Sequence, residues 1–254
     1  MLFRSLATMC RGLSGVQTKT ANAYASLLNA KITPIVREYG SLGCSGDLAP
    51  LSACALAVMG EGEVINSAGE ILSAEQALKD AGLNKVELSS KEGLALINGT
   101  DGMLGQLVMA INDISNLLKT LDVTTSMSVE ALLGTDKVFQ KHLHDLRPQI
   151  GQSKSAANIA KLLADSPLVK SHAGKDDGRV QDAYSLRCAP QVAGAARDTV
   201  AHAAQVAALE LNSIIDNPIV LTNGEISSNG NFHGAPVAYV LDFLAIAKIG
   251  RAHV

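Results

Sequence analysis

Apolar residues recur at steps of three and four along two long stretches of the chain. The first begins at Met103, runs through Leu121 and continues toward Leu133, and the second spans about Pro190 to Ile214. The apolar stripe of the second stretch consists of Val192, Ala196, Val200, Ala203, Val206 and Leu209. This spacing is typical of one face of an α-helix. Because alanine is the commonest residue at the other positions of the second stretch and small side chains let helices pack closely, the pattern predicts a bundle of long, mostly buried helices.

Shorter elements are predicted upstream of these helices. Residues 15–31 have the pattern of a helix that Pro34 stops, and a turn-rich loop follows at 38–46. The nearly unbroken apolar run at 48–59 predicts a helix that is buried on all sides. Asp47 stands where it can cap the start of that helix and complement its dipole.

Turn-forming residues mark the remaining elements. Segments 60–72 and 219–226, the second with an Asn-Gly turn, predict two small β-hairpins. The polar stretch 166–181 predicts a long loop, a feature that is often functional in compact domains. A last helix is expected to begin near His233 and to run on toward the end of the chain.

Composition narrows the class of protein. The chain has 254 residues, of which 47% are hydrophobic and 18% charged, with a net charge of −3. These values exclude a disordered chain, and the mixed charges give no single-sign surface for nucleic acid. The uncharged run at 48–59 is shorter than the about 20 apolar residues of a membrane span, and the N-terminus has no secretory pattern. Scattered cysteines fit a reducing compartment, so we expect a cytoplasmic protein without a membrane or nucleic-acid partner.

The most specific string is Gly-Ser-Leu-Gly-Cys-Ser-Gly-Asp-Leu-Ala-Pro-Leu, at 40–51. Three glycines ahead of a helix start are able to cradle an anion with backbone N–H groups. However, no strand pattern precedes the string and no Gly-Lys-Ser/Thr follows it, which disfavours a phosphate loop. On the residues alone, a tight turn with a helix cap is the more ordinary interpretation.

The string resembles the signature of the aromatic amino-acid ammonia-lyases, in which an Ala-Ser-Gly triplet cyclises to 4-methylidene-imidazol-5-one (MIO). Further resemblance lies at 98–101, 180–191, 216–218 and 228–233, in the same order along almost the entire chain. Several of these strings most resemble those of the bacterial family members that act on histidine. Cys44 stands where the commoner triplet has Ala, and a small side chain is tolerated there because cyclisation uses only the carbonyl of this residue.

The resemblance implies a fold, a reaction and a prosthetic group. The fold is mainly α, a bundle of long helices as in the fumarase/aspartase-like ammonia-lyases, with small β-hairpin excursions. The reaction is the elimination of ammonia from L-histidine to give urocanate, with a small amino acid as the substrate. MIO forms from Cys44, Ser45 and Gly46, and neither an external cofactor nor a metal is needed.

The resemblance also assigns roles to site residues, because their positions match the family motifs. Asn98 hydrogen-bonds the prosthetic group or the substrate, and Arg187 pairs with the substrate carboxylate. The further site residues are Tyr184 as a catalytic group, Gln181 and Phe232 at the substrate, and Asp47 and Asn231 in support. Gln181, Tyr184 and Arg187 recur every three residues, which predicts that successive helical turns present them on one side.

Each assignment has a structural alternative. Asn98 can simply cap the long helix that follows, Arg187 and Asp182 can form a surface pair, and Tyr184 and Phe232 can be core aromatics. His142 and His144 would not share a helix face, so a metal site there is disfavoured. At the level of the whole protein, the alternatives are a phenylalanine or tyrosine ammonia-lyase, an aminomutase, and a non-catalytic helical scaffold.

Family members are longer than this chain. Their upstream segment provides a catalytic tyrosine base and a histidine, and their downstream helices provide a glutamate that recognises the imidazole. We therefore expect residues 1–254 to be a single partial catalytic domain that is inactive or poorly soluble by itself, with about 251–254 being a translated sequencing adapter. The resemblance implies a homotetramer in which several subunits build each site.

Overall fold

The fold is mainly α-helical with small antiparallel sheets, as predicted. A computed structural model describes residues 1–44, 46–174 and 178–249. Ser45 and residues 251–254, which we expected to be a translated adapter, therefore lie outside the described part of the chain. The chain forms two compact units: residues 1–108 with 206–239, and residues 109–205 with those from 240 onward.

The first unit contains short helices, two small sheets and portions of three longer helices. Its complete helices are α1 (Leu2–Met9), α2 (Thr18–Asn29), α3 (Leu48–Val58), α4 (Ala74–Asp80) and α5 (Glu92–Ile97). Its strands are β1 (Thr33–Pro34), β2 (Glu63–Ile65), β3 (Ile71–Ser73), β4 (Ile219–Val220) and β5 (Ile226–Ser227). The residues of α6 (Asp101–Ala131), α11 (Ala189–Leu211) and α12 (Ala235–Ile249) are divided between the two units.

Both predicted hairpins are confirmed. β2 and β3 pair antiparallel, with Val64 opposite Leu72, and β1 adds to the outer edge of β2. The turn between them closes on the side chain of Asn66, which accepts hydrogen bonds from the backbone N–H groups of Ala68 and Glu70. β4 and β5 form the second antiparallel pair.

The core of the first unit gathers around α2, α3 and the first hairpin, with Tyr24, Leu27, Cys54, Val58 and Val64 all buried. The helix α3 was predicted to be buried on all sides, and this prediction is wrong. Leu48 and Leu56 are 45% and 37% exposed, while Leu51, Cys54 and Val58 form the buried face.

A buried carboxylate fastens α5 to the start of α2. Glu92 accepts hydrogen bonds from the Thr20 hydroxyl and from the backbone N–H groups of Gln17 and Ser89. Burial raises the pKa of Glu92, but these hydrogen bonds outweigh burial, so that its pKa lies below the ordinary value. Glu92 is therefore ionised at neutral pH, although it is fully buried.

The second unit is built from helices. Besides its portions of α6, α11 and α12, it contains α7 (Lys141–Asp145), α8 (Ile150–Leu162), α9 (Pro167–Ser171), α10 (Tyr184–Arg187) and a 3-10 turn (Lys137–Phe139). Its buried cluster consists of Val129, Phe139, Ile159, Leu163 and Val169. The long helices α6 and α11 confirm the prediction from the apolar pattern.

Two predictions made from the sequence pattern were wrong. The predicted loop at 166–181 contains α9, which the Ser166 hydroxyl caps by accepting a hydrogen bond from the N–H of Val169. On α11, Ala196, Val200 and Ala203 are buried as predicted, but Leu209 is 73% exposed.

The stretch Glu92–Ala131 is long and apolar enough to cross a membrane by length and composition alone, although we expected no such segment. Half of its most apolar window is buried within the structure. Buried core helices of soluble proteins pass the same test, so this result is weak support for a membrane span.

Candidate active site

Three of the recognised motifs meet in the first unit. The carbonyl oxygen of Cys44 accepts a hydrogen bond from the N–H of Gly234, and the N–H of Gly46 donates to the carbonyl oxygen of Phe232 at 3.2 Å. The N–H of Asp47 donates to the carbonyl oxygen of Gly99 at 2.7 Å. The backbone on both sides of Ser45 is therefore held by the motif at 98–101 and by residues 232–234, at the end of the motif at 228–233.

Gly46 occupies a position where a side chain would be crowded and strained. Its φ of +75° lies in the left-handed region, which glycine adopts without strain. A Cβ atom at this position would lie 3.2 Å from Oδ1 of Asn98 and 3.3 Å from the backbone nitrogen of Gly99. Glycine thus lets the loop backbone approach Asn98 closely.

The side chain of Asp47 does not cap α3 as predicted. It precedes α3, but its side chain makes no capping hydrogen bond to that helix. Its carboxylate instead accepts hydrogen bonds from the Ser41 hydroxyl and from the N–H of Met103, in the first turn of α6. Asp47 is buried, and it connects the loop to a second helix start.

Asn98 does not cap α6, which was the structural alternative to its predicted role. Asn98 ends α5, and its Nδ2 donates to the carbonyl oxygen of Asn217 at 2.9 Å. The preceding residue, Asp216, is buried and forms an ion pair with Lys91. Sequence reasoning noted the 216–218 string but gave its residues no role, and it did not single out Lys91.

The motif at 228–233 lies at the edge of this cluster. Phe232 is half-buried and contributes its carbonyl oxygen, as described above, so it is not a fully buried core aromatic. Asn231 is exposed, and its N–H donates to Oδ1 of Asn229 at 2.8 Å. His233 accepts a hydrogen bond from the N–H of Ala235 at the start of α12, which is a structural role.

A buried charged pair lies beside the start of α6. Nε of Arg4 is 3.7 Å from Oδ1 of Asp101, and both residues are buried. Burial raises the pKa of Asp101 to about 6, although the Arg4 charge acts in the opposite direction. Burial likewise lowers the pKa of Arg4. A carboxyl group whose pKa is raised to about 6 therefore lies two residues before Met103.

Gln181, Tyr184 and Arg187 belong to the second unit. Tyr184 and Arg187 begin and end α10, but Gln181 lies in an irregular segment before the helix, so the predicted continuous helical face is wrong for Gln181. Tyr184 is 65% exposed, which contradicts a core role. Arg187 donates from Nε to the backbone oxygen of Asp182 at 2.9 Å, so it does not form the surface ion pair that was the structural alternative to its predicted role.

Within the described residues, no three metal-ligating side chains lie together. The buried ring of His144 contacts the carbonyl oxygen of Val138 and the side-chain amide of Gln152, each at 3.0 Å. His142, two residues earlier, is exposed. These observations give His144 a structural explanation.

The fold and these motifs agree with the comparisons: the chain belongs to the aromatic amino acid lyase family, whose profile matches residues 1–253. Histidine ammonia-lyase from Streptomyces avermitilis is 60% identical to this chain over 248 residues. The aligned region covers 97% of this chain and 48% of that protein. The chain thus spans about half the length of the curated relatives it matches.

Two solved structures are also similar to this chain. Tyrosine aminomutase from Streptomyces globisporus has a TM-score of 0.88 and 38% identity, over 98% of this chain and 50% of that one. Histidine ammonia-lyase from Trypanosoma cruzi has a TM-score of 0.86 and 34% identity, over 97% of this chain and 45% of that one.

Proposed function

We propose that the protein is an ammonia-lyase that eliminates ammonia from L-histidine to give urocanate. The observation that carries the proposal is the backbone arrangement around Ser45, found in a chain that is 60% identical to a histidine ammonia-lyase. The carbonyl of Cys44 and the amide nitrogen of Gly46 are each held by a hydrogen bond from outside the loop.

This arrangement fits the formation of MIO from the chain's own residues. The amide nitrogen of Gly46 adds to the carbonyl carbon of Cys44, and that carbonyl oxygen leaves as water with the amide hydrogens of Gly46 and Ser45, so that a C=N bond forms between Cys44 and the Ser45 nitrogen. Ser45 then loses its hydroxyl and its Cα hydrogen as a second water, leaving a methylidene group. The hydrogen bond from Gly234 polarises the Cys44 carbonyl, and the Phe232 oxygen accepts a hydrogen bond from the attacking N–H.

The absence of a side chain at Gly46 supports the same interpretation. A Cβ would press on Asn98 and on the Gly99 nitrogen, and the φ of +75° adds strain for any other residue, so glycine is favoured next to the attacking nitrogen. Asp47 holds the next part of the loop on the start of α6. When formed, MIO supplies an electron-poor alkene that activates the substrate amine for departure.

The remaining roles are assigned to side chains by motif. Asn98 has two amide hydrogens, and the one that does not face Asn217 is the donor for the prosthetic group or the substrate. The Arg187 guanidinium binds the substrate carboxylate, for which its planar fork is suited. Tyr184 takes part in catalysis, Gln181 and Phe232 contact the substrate, and Asn231 supports the site.

We further propose that the full-length protein is a cytoplasmic homotetramer in which several subunits contribute to each site. Exposed apolar side chains support an assembly: Met109 and Met127 on α6 and Tyr239 on α12 are each more than 60% exposed. Sedimentation of the full-length protein tests the expected fourfold mass.

A second candidate is an aminomutase, or an ammonia-lyase acting on tyrosine or phenylalanine. The TM-score of 0.88 to a tyrosine aminomutase favours it, but that protein is 38% identical, against 60% for the histidine ammonia-lyase. A non-catalytic helical scaffold is the candidate from another class. An enzyme and a scaffold differ in whether the 44–46 peptide loses water.

The test uses the full-length protein and two serine variants. Ser45→Ala removes the hydroxyl that leaves, and Ser67→Ala is the control in the exposed turn between β2 and β3. We expect the wild type and the control to form urocanate. The mass of their 44–46 peptide should be lower than that of the unmodified peptide by two water molecules. Ser45→Ala loses both properties. Urocanate formation with an unmodified Ser45 contradicts the proposal, and a β-amino acid product from tyrosine indicates the aminomutase.

A further inference from the structure

An ion pair joins two segments that are distant in sequence. Nζ of Lys91, at the start of α5, donates to Oδ2 of Asp216, just before β4. The side chains are 20% and 2% exposed. Because desolvation offsets much of the attraction in a buried pair, net stabilisation is a weak explanation for such an arrangement.

The pair holds a short piece of backbone that is also held from other directions. The second carboxylate oxygen of Asp216 accepts a hydrogen bond from the N–H of Asn217 at 2.7 Å. Nδ2 of Asn229 donates to the carbonyl oxygen of Asp216 at 3.1 Å, and the N–H of Asn229 donates to Oδ1 of Asn217 at 2.7 Å. The carbonyl of Asn217 therefore has a defined direction.

That carbonyl orients the amide of Asn98. Nδ2 of Asn98 donates to it at 2.9 Å, whereas the flipped amide would bring two oxygens together. With Nδ2 fixed in this way, Oδ1 of Asn98 lies on the side of Gly46, 3.2 Å from the position that a Cβ there would take. The connection thus runs from Lys91 through Asp216 and Asn217 to Asn98.

We propose that Lys91 and Asp216 are positioning residues for the candidate active site, which act by fixing the orientation of the Asn98 amide. This inference rests on the proposed function, because it assigns the pair to the loop that would form MIO. Without the pair, the 216–217 backbone is less restrained, the Asn98 amide turns, and both loop cyclisation and the elimination reaction become slower.

The variants remove the pair without leaving one charge buried alone. The double variant Lys91→Met/Asp216→Asn keeps both side-chain shapes, and Lys91→Arg is the conservative variant that keeps the charge. The control is Arg37→Met/Glu63→Gln, which removes an exposed ion pair of the same unit. Each is made in full-length wild type and in an Asn98→Ala background. The measurements are kcat, KM and the fraction of the 44–46 peptide that lacks two waters.

We expect the double variant to lower kcat about tenfold or more in the wild-type background, and less than about twofold in the Asn98→Ala background. The fraction of peptide lacking two waters falls in the wild-type background, while KM changes less than about threefold. Lys91→Arg retains most of the activity, and the Arg37/Glu63 control is indistinguishable from its parent. Asn229→Ala, which loosens the same backbone without touching a charge, lowers kcat in the same non-additive way and serves if the double variant does not fold.

Equal losses of kcat in both backgrounds would overturn the positioning role, because a purely structural effect does not depend on Asn98. So would complete water loss and unchanged kcat in the double variant. A wild-type protein that lacks both urocanate formation and water loss overturns the proposed function and this inference together. If the wild type forms urocanate and its 44–46 peptide loses two waters, the proposed function holds. The comparison between the wild-type and Asn98→Ala backgrounds then tests the role of Lys91 and Asp216 alone.

Discussion

The carboxylate of Asp47, which directly precedes α3, accepts a hydrogen bond from the backbone N–H of Met103 in the first turn of α6. The N–H groups of a first turn have no partner within their own helix, and an anion there interacts favourably with the helix dipole. The same carboxylate accepts a hydrogen bond from Ser41. One buried side chain therefore ties the loop next to Ser45 to the long helix.

Replacing this carboxylate should weaken the first unit. In Asp47→Ala, the buried N–H of Met103 and the Ser41 hydroxyl lose their partner, which costs about 1–3 kcal/mol of stability. Asp47→Asn should cost less, because its oxygen can still accept from Met103. Thermal unfolding of the full-length protein measures both, with Asp80→Ala at an exposed site as the control. An Asp47→Ala midpoint equal to that of the control would contradict the assigned contact.

The contact between α8 and α11 depends on two glycines. A Cβ on Gly194 would overlap the backbone of Gly151 and Gln152, and a Cβ on Gly151 would overlap the carbonyl oxygen of Gly194. Gly194→Ala should therefore destabilise the second unit by about 1–3 kcal/mol or more, because the helices must separate. Gly93→Ala is the matched control, since this exposed helical glycine has nothing within 4 Å. Faster amide hydrogen exchange in α8 and α11 is expected only for Gly194→Ala.

A buried ion pair connects α6 to α11 within the second unit. Arg197 donates to Asp122 and to the hydroxyl of Ser155, and Asn158 donates to the same carboxylate oxygen at 2.6 Å. Asp122→Ala should cost about 3–5 kcal/mol, because it leaves the guanidinium buried without its partner. Glu63→Gln in the exposed pair with Arg37 should cost less than about 1 kcal/mol. Similar urea midpoints for the two variants would refute this difference.

The buried Asp101 should make stability depend on pH. Its pKa is raised to about 6 from the ordinary 3.8, so the folded state favours the protonated form. The resulting stabilisation is complete below the unfolded pKa and is lost as the pH rises through about 6. Relative to Asp101→Asn, which has no such titration, the wild type should lose about 3 kcal/mol at most between pH 4 and 7. Urea unfolding at several pH values tests this, and a constant difference between the two proteins would argue against the shifted pKa.

Local patterns were sufficient for much of the fold. The apolar spacing of α6 and α11 and the turn residues at Asn66 and Asn223 act over a few residues, so these two long helices and both hairpins were predicted correctly. The helices α1, α4, α7 and α8 were not predicted. The helix α9 was also missed, although Ser166 followed by Pro167 is a recognisable helix start. The motifs also indicated correctly that Cys44, Gly46, Asn98 and Phe232 lie in one region.

What the sequence determined by itself was the type of each long element, the family signature and the residues that carry it. Only the tertiary structure decided which face of α3 is exposed, that Asp47 bonds to a helix start 56 residues away, and that Lys91 reaches Asp216 across 125 residues. The reason is physical: periodicity reports which side of an element is apolar, whereas the partner of a buried polar group is chosen by packing between segments that are distant along the chain.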